Sequence, residues 1–225
     1  WAAPPASPGR RPPRPRAGAA NGGPLAMTAV GCISGFIFGL LLALARQTRD
    51  PWLLPLLLLA VGYVELFRRI PFLVIVFIVL YAIQPVFPDA SLFVIATIAV
   101  CLVATAFLSE IVRAGLESVP QQQIDGAVTL NFGPLRTLWY VVLPQSWRVI
   151  LPPAVAFAVM FIKDTSLASH IGVIELTFSG KMFLNRGFSP LLGFGTVLLL
   201  YFAMSYPLSR LGSYLEARLA PARRS

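Results

Sequence analysis

The side chains that could do chemistry in this chain are few, and most stand at the ends of apolar runs. Lys163 and Asp164 follow the run PPAVAFAVMFI and precede Thr165 and Ser166. Ionisable groups beside such a run either pair with other helices or line a water-filled route. Both readings stay open for Lys163, Asp164, Thr165 and Ser166, the second making them a candidate substrate pathway. Glu110 and Arg113 are spaced to face each other on one helix, which reads as a structural pair. His170 is the only histidine, and no G-x-x-x-x-G-K-[ST] run occurs. Neither ATP hydrolysis nor histidine-based catalysis has a foundation here, so the chain reads as no enzyme and calls for no cofactor or metal. Cys32 and Cys101 lie inside apolar runs and read as small buried hydrophobes.

A mean hydropathy of +0.77, with 57% hydrophobic and 12% charged residues, excludes an ordinary soluble globule. The net charge of +9 could suggest a nucleic-acid partner. Outside the first residues, however, the arginines flank apolar segments, where orientation in lipid accounts for them. The predicted fold is all-α and polytopic, with five transmembrane helices. The spans are Thr28 to Ala45, a second ending in Phe72 to Gln84, Leu92 to Leu108, Val149 to Ile162, and Leu191 to Leu208. Gly31, Gly35 and Gly39 share one face of the first span and permit close helix approach, within the chain or between chains. The Pro152-Pro153 pair predicts a kink or break in the fourth span, which would suit a helix lining a pathway. Residues 1 to 24, rich in Pro, Ala, Gly and Arg, cannot bury enough surface to fold. A polybasic lipid-binding arm or a proline-rich ligand are the functional readings, and a dispensable disordered spacer is the one expected, with residues 25 to 225 as the membrane domain.

Between the third and fourth spans lies a polar stretch, ESVPQQQIDGAVTLNFGPLRTLWYVVLPQ. Ser118 and Gln121 have capping-box spacing, with Pro120 in the first turn. The helix so begun would run through Asp125, Gly126, Ala127 and Val128 to Leu130. Asn131, which tolerates the left-handed conformation, and Gly133-Pro134 would then stop it. A second short helix, Leu135 to Val142, is expected to end before Pro144. The apolar residues of this knuckle are too few for a core of their own, so it reads as a docking element.

This stretch resembles the cytoplasmic EAA loop of ABC-importer permeases. The words EIVRAGLESVP, VVLPQSWRVILPP and KDTSLASHIGVIEL resemble the polar amino-acid, histidine/glutamine-type subfamily. The resemblance extends from about Gly35 to the C-terminus. Asp125-Gly126-Ala127 stands where the family usually has Glu-Ala-Ala, and Asn131 where it has glycine. Arg68-Arg69-Ile70-Pro71 replaces the usual Arg-Gly-Thr-Pro.

The resemblance implies a permease subunit in the cytoplasmic (inner) membrane of a bacterium, surrounded by membrane lipid. It implies a second permease subunit, itself or a homologue, two ATP-binding cassette subunits that bind the ATP, and an extracytoplasmic solute-binding protein. Asp125, Gly126, Ala127, Asn131 and Pro144 would then couple to the ATPase, and the lone pair Lys163 and Asp164 would meet the carboxylate and ammonium of an amino acid. A secondary transporter or channel is the alternative, though no internal repeat of the kind such folds show is present.

Arg46, Arg49, Arg68, Arg69, Arg113, Arg136, Arg148 and the C-terminal arginines would share the cytoplasmic side, against Lys163, Lys181 and Arg186 outside. With five spans, Trp52 to Phe67 lies on or in the cytoplasmic face, and the N-terminus with its four arginines lies outside. A six-span arrangement would put the N-terminus inside and make Trp52 to Phe67 a crossing of its own. The five-span arrangement is the one expected.

Overall fold

The computed structural model describes residues 17–47, 52 and 54–219, and every regular element among them is helical. The disordered tail expected over residues 1–24 lies mainly outside the described residues, but helix α1, Ala17–Gln47, already begins inside it. Next come α2 (Leu54–Arg69) and α3 (Phe72–Ile83), which meet at a bend of 115°. Pro71, with an extended ψ of 135°, caps α3, and a proline disfavours the helical conformation of the residue before it. The break at Ile70 follows.

Turns over 84–90 lead into α4, Leu92–Glu117, which starts where expected but runs on past Leu108. It is the axis of the fold. Ile95, Ala96, Ala99, Val100, Val103 and Ala104 are all buried along it, packed with Val76 of α3 and Phe157 and Phe161 of the later helix α7. Phe157 and Phe161 stack at 4.8 Å, and Phe107 stacks on Phe157 at 5.4 Å.

The glycine face of α1 is spent on α4. A Cβ on Gly35 would lie 2.8 Å from the carbonyl carbon of Ala104, and one on Gly39 would lie 2.8 Å from the amide nitrogen of Ser109. Only backbone fits there, so this face packs within the chain. Because the later glycine meets the later residue of α4, α1 and α4 run in the same direction. The chain therefore crosses once between them, and α2 with α3 makes a single broken span. Together with α1, α4, α7 and α9 this gives five spans.

The expected resting place of Trp52 to Phe67 needs refinement. α2 packs directly on α4, and the Tyr63 hydroxyl donates to the Leu102 carbonyl at 2.6 Å. A buried carbonyl at that depth has a spare lone pair, which the phenol satisfies.

The knuckle comprises α5 (Gln121–Thr129), α6 (Pro134–Thr137) and a π-helical turn over Leu138–Val142. α7, Leu143–Asp164, continues from that turn and passes into a 3-10 turn, Thr165–Ile171. Gly172, at φ 89°, ends this turn in the left-handed region that glycine adopts freely. α8 (Leu176–Asn185) and α9 (Pro190–Leu219) complete the chain. α9 packs on α7 and α8 yet buries none of its residues.

Two expectations about α7 fail. The helix does not stop before Pro144, because the preceding turn widens: the Leu143 N–H reaches the Leu138 carbonyl. A widened turn lets a helix pass a proline that lacks a donor and crowds the carbonyl behind it. The second is the break that was one of the two outcomes expected at Pro152 and Pro153: both prolines lie inside a continuous helical run.

Candidate functional site

The knuckle is built from local chemistry. Ser118 does not cap α5 as its spacing predicts; it ends α4 instead, its hydroxyl donating to the Gly115 carbonyl at 2.6 Å. Pro120 takes the cap position, with no side-chain bond. The stop at the far end is as expected. Asn131 has φ 59°, its N–H donates to the Val128 carbonyl at 2.9 Å, and Phe132 N–H donates to the Ala127 carbonyl at 3.0 Å. These two bonds satisfy carbonyls that the end of the helix would leave free, the Schellman arrangement.

Val119, Ala127, Thr137 and Val142 are buried and anchor the knuckle, whereas Val128, Leu130, Leu135, Trp139 and Tyr140 are exposed. Asp125 is exposed and accepts a bond from Gln121 Nε2 at 3.0 Å, which orients the carboxylate along the helix. Gly126 is exposed, with nothing near the place of a Cβ. Asp125, Gly126, Ala127 and Asn131 thus share one unit. Pro144 stands apart from them, beyond the π-helical turn in the first turn of α7.

The second group lies at the other end of α7. Val149, Pro153, Ala156, Met160 and Lys163 are exposed at alternating spacings of four and three residues, which is one face of a helix. Lys163 ends that stripe. Asp164 beside it is half-buried, and Thr165 is buried with its hydroxyl donating to the Ile162 carbonyl at 2.7 Å. Ser166 is half-buried in the same turn. Among the described residues, Lys163 and Asp164 form no ion pair with another helix. His170 is exposed, its ring nitrogen 3.1 Å from the Leu167 carbonyl.

Glu110 and Arg113 do pair, and the pair is part of a larger cluster. Arg46 of α1 donates to Glu110 at 2.9 Å, Arg68 of α2 lies 3.9 Å from the same carboxylate, and Arg113 also holds Glu117.

One important residue has no local signal in the sequence. Glu175 is fully buried and caps α8, accepting from Thr177 N and Phe178 N at 2.7 Å each. Tyr201 of α9 donates to it at 2.8 Å. On the helix that Glu175 caps, Lys181 donates to Ser169 at 3.1 Å and ties α8 to the 3-10 turn.

Broken and continuous spans around a central helix, with an anchored but outward-facing knuckle, define a membrane-spanning permease. Residues 35–221 match the family described as the binding-protein-dependent transport system inner membrane component, and the chain belongs to it. This is a family of transport subunits rather than enzymes. The chain is 32% identical over 194 residues to the probable glutamine ABC transporter permease protein of Bacillus subtilis, covering 84% of this chain and 87% of that protein. It is 39% identical over 150 residues to the L-cystine transport system permease protein of the same organism, covering 67% and 63%. In three dimensions it is similar to a crystal structure of an amino acid ABC transporter with histidines. The TM-score is 0.79, at 25% identity, over 87% of this chain and 90% of that one.

Proposed function

We propose that this chain is the translocation subunit of an ATP-binding-cassette importer that carries polar amino acids across the cytoplasmic membrane of a bacterium. The observation that supports this most is the knuckle. Five apolar side chains, Val128, Leu130, Leu135, Trp139 and Tyr140, stay exposed on an element whose helix stop at Asn131 is hydrogen-bonded and whose anchors are buried. A rigid element with an uncovered apolar face fits a docked partner. In this reading ATP-binding subunits seat Asp125, Gly126, Ala127 and Asn131, and Pro144 sets the helix that leaves the dock.

The stripe on α7 that ends at Lys163 faces a second permease subunit and the path between them. Lys163 and Asp164 then present opposite charges to a zwitterion delivered by an extracytoplasmic solute-binding protein. The named relatives and the structural neighbour, which carry glutamine, cystine and amino-acid descriptions, point to the same substrate class.

The test is reconstitution. A tagged permease is co-expressed with ATP-binding and solute-binding partners, purified, and placed in vesicles. ATP-dependent uptake of a radiolabelled polar amino acid is expected. Uptake that persists without ATP, or a permease that purifies without an ATPase, would favour the secondary transporter.

A further inference from the structure

Near their inner ends α7 and α9 leave a cleft of about 360 Å³ between them, lined by Pro152, Pro153 and Ala156 from α7 and by Ser209, Ser213 and Glu216 from α9, among others. Its volume is within the range of small-molecule sites. Ser209, Ser213 and Glu216 follow one another at four and three residues and so share one face of α9. No lining residue carries a positive charge. Arg148, Arg210 and Arg218, the basic residues nearest in sequence, are not part of the lining, and Arg218 donates to the Tyr214 hydroxyl at 2.7 Å.

The groups that do line the cleft are mostly acceptors. Glu216 has neither an ion pair nor a hydrogen bond among the described residues, and an ionised carboxylate only accepts. Ser213 spends its hydroxyl proton on the Ser209 carbonyl at 3.2 Å, which leaves its oxygen as an acceptor. Pro152 and Pro153 bring no N–H to the α7 side. Such a lining selects a ligand that donates and is positively charged, an ammonium or a guanidinium, and offers an anion only the Ser209 hydroxyl.

The cleft also continues from the charged pair at the outer end of α7. Pro153 and Ala156 belong to the exposed stripe that ends at Lys163. α7 and α9 are consecutive spans and run antiparallel, and a Cβ on Gly212 would lie 3.3 Å from Val155. Ser205, seven residues before Gly212, therefore stands about level with Ile162, next to Lys163. It shares the face of Ser209, four residues on, and its buried hydroxyl has no partner among the described residues. Polar groups thus recur about once per turn down α9, from the level of Lys163 and Asp164 to the cleft.

We infer that the cleft is a second station for the transported amino acid, holding its ammonium on Glu216 at the cytoplasmic end of the path. Cargo and direction rest on the proposed function. With a carboxylate but no cation in its lining, the cleft grips a zwitterion at one end only, whereas Lys163 and Asp164 offer a charge to each end. A single exposed charge binds weakly in water, and weak binding is what a point of release requires.

The experiment labels the cleft in the purified permease, in detergent and without ATP. Ser209→Cys, in a chain with Cys32 and Cys101 replaced by alanine, is reacted with a cationic and an anionic methanethiosulfonate reagent. Rates are read by mass spectrometry and divided by those with free cysteine. The cationic reagent should react faster, and adding Glu216→Gln should lower the ratio of the two rates about fivefold, the effect of one charge at contact distance in water. Melting temperatures equal to the parent's show that the variants are folded. Glutamine methyl ester, which keeps the ammonium and lacks the carboxylate, should slow the labelling. N-acetylglutamine and potassium chloride at the same concentration should not.

Equal rates for the two reagents, or a ratio unchanged by Glu216→Gln, would overturn the inference. So would a Ser209→Cys that neither reagent reaches, or protection by N-acetylglutamine as strong as by the ester. Protection by potassium chloride would overturn it too, and make the cleft a site for inorganic cations. No ATP or transport enters the measurement, so the cleft can fail while the importer reading stands. Uptake that persists without ATP would unseat that reading and leave the labelling result as it is.

Discussion

Tyr201 in the middle of α9 donates its hydroxyl to Oε2 of Glu175, a fully buried carboxylate that also accepts two backbone N–H bonds at the start of α8. A buried charge needs hydrogen bonds on all sides, and the N-terminus of α8 adds a favourable dipole. The contact joins the last span to a bundle in which it otherwise buries nothing.

Glu175→Ala should therefore cost more than Tyr201→Phe. The first strands two amide donors and a phenol, about 3 kcal/mol, whereas the second removes one bond, about 1.5 kcal/mol. Thermal unfolding in detergent gives the order. Equal melting temperatures for the two variants would show that Glu175 is not the hub of this contact.

The packing of α1 on α4 makes a sharper prediction, because a glycine in that contact differs from one on α2 in what surrounds it. Gly35→Leu forces side-chain atoms into the Ala104 backbone, which cannot yield, and overpacking of this kind costs about 1 to 3 kcal/mol. Gly62→Ala, on α2, meets nothing and should be neutral or slightly stabilising. Yields of folded protein by size-exclusion chromatography compare the two.

What the sequence discloses and what it hides divide along a physical line. The spans, the left-handed Asn131 and the close-packing glycine face are local or periodic, and each was legible. Ser118 misled because its capping spacing is also compatible with ending α4, and that choice depends on how far α4 runs. Pro144 misled because a proline stops an α-helix but not one that widens to a π turn just before it. Glu175 with Tyr201 and Arg46 with Glu110 join residues far apart in the chain. No spacing rule reaches them; only the packed helices bring them together.

At the knuckle, Asp125→Arg should uncouple ATP hydrolysis from substrate while the protein inserts normally. The side chain is exposed, so the fold does not depend on it, and in the proposed function its charge faces the docked ATP-binding subunit. Substrate-stimulated ATPase activity in reconstituted complexes should fall severalfold. Gly126→Ala works in the opposite sense: it has room for a methyl group and should firm α5 by about 1 kcal/mol. Coupling should then be kept or improved, and a loss of coupling would mean that the partner needs the bare backbone at Gly126.

Asp164→Asn keeps volume and removes a charge that no other helix balances among the described residues. Transport should weaken with assembly and basal ATPase activity unchanged. A variant that fails to assemble would instead give Asp164 a structural role.

The parallel course of α1 and α4 fixes the parity of the whole membrane domain and can be tested without any transport assay. If α1 and α4 start on the same face, the start of α1 must share a compartment with the turn between α3 and α4, and both must lie opposite the knuckle. The sequence alone favoured this only weakly, because the positive-inside rule objects to four arginines in the first residues lying outside. Backbone contact at Gly35 and Gly39 outweighs that objection: reversing α1 would set those glycines against different residues and lose the fit to Ala104 and Ser109. Single cysteines at Asn21, Asp89 and Gln122, in a chain with Cys32 and Cys101 replaced by alanine, report each face to a membrane-impermeant thiol reagent on intact cells. Asn21→Cys and Asp89→Cys should react from outside, and Gln122→Cys only after permeabilisation. Protection of Asn21→Cys alongside labelling of Asp89→Cys would require α1 to run against α4, and the five-span arrangement would then be wrong.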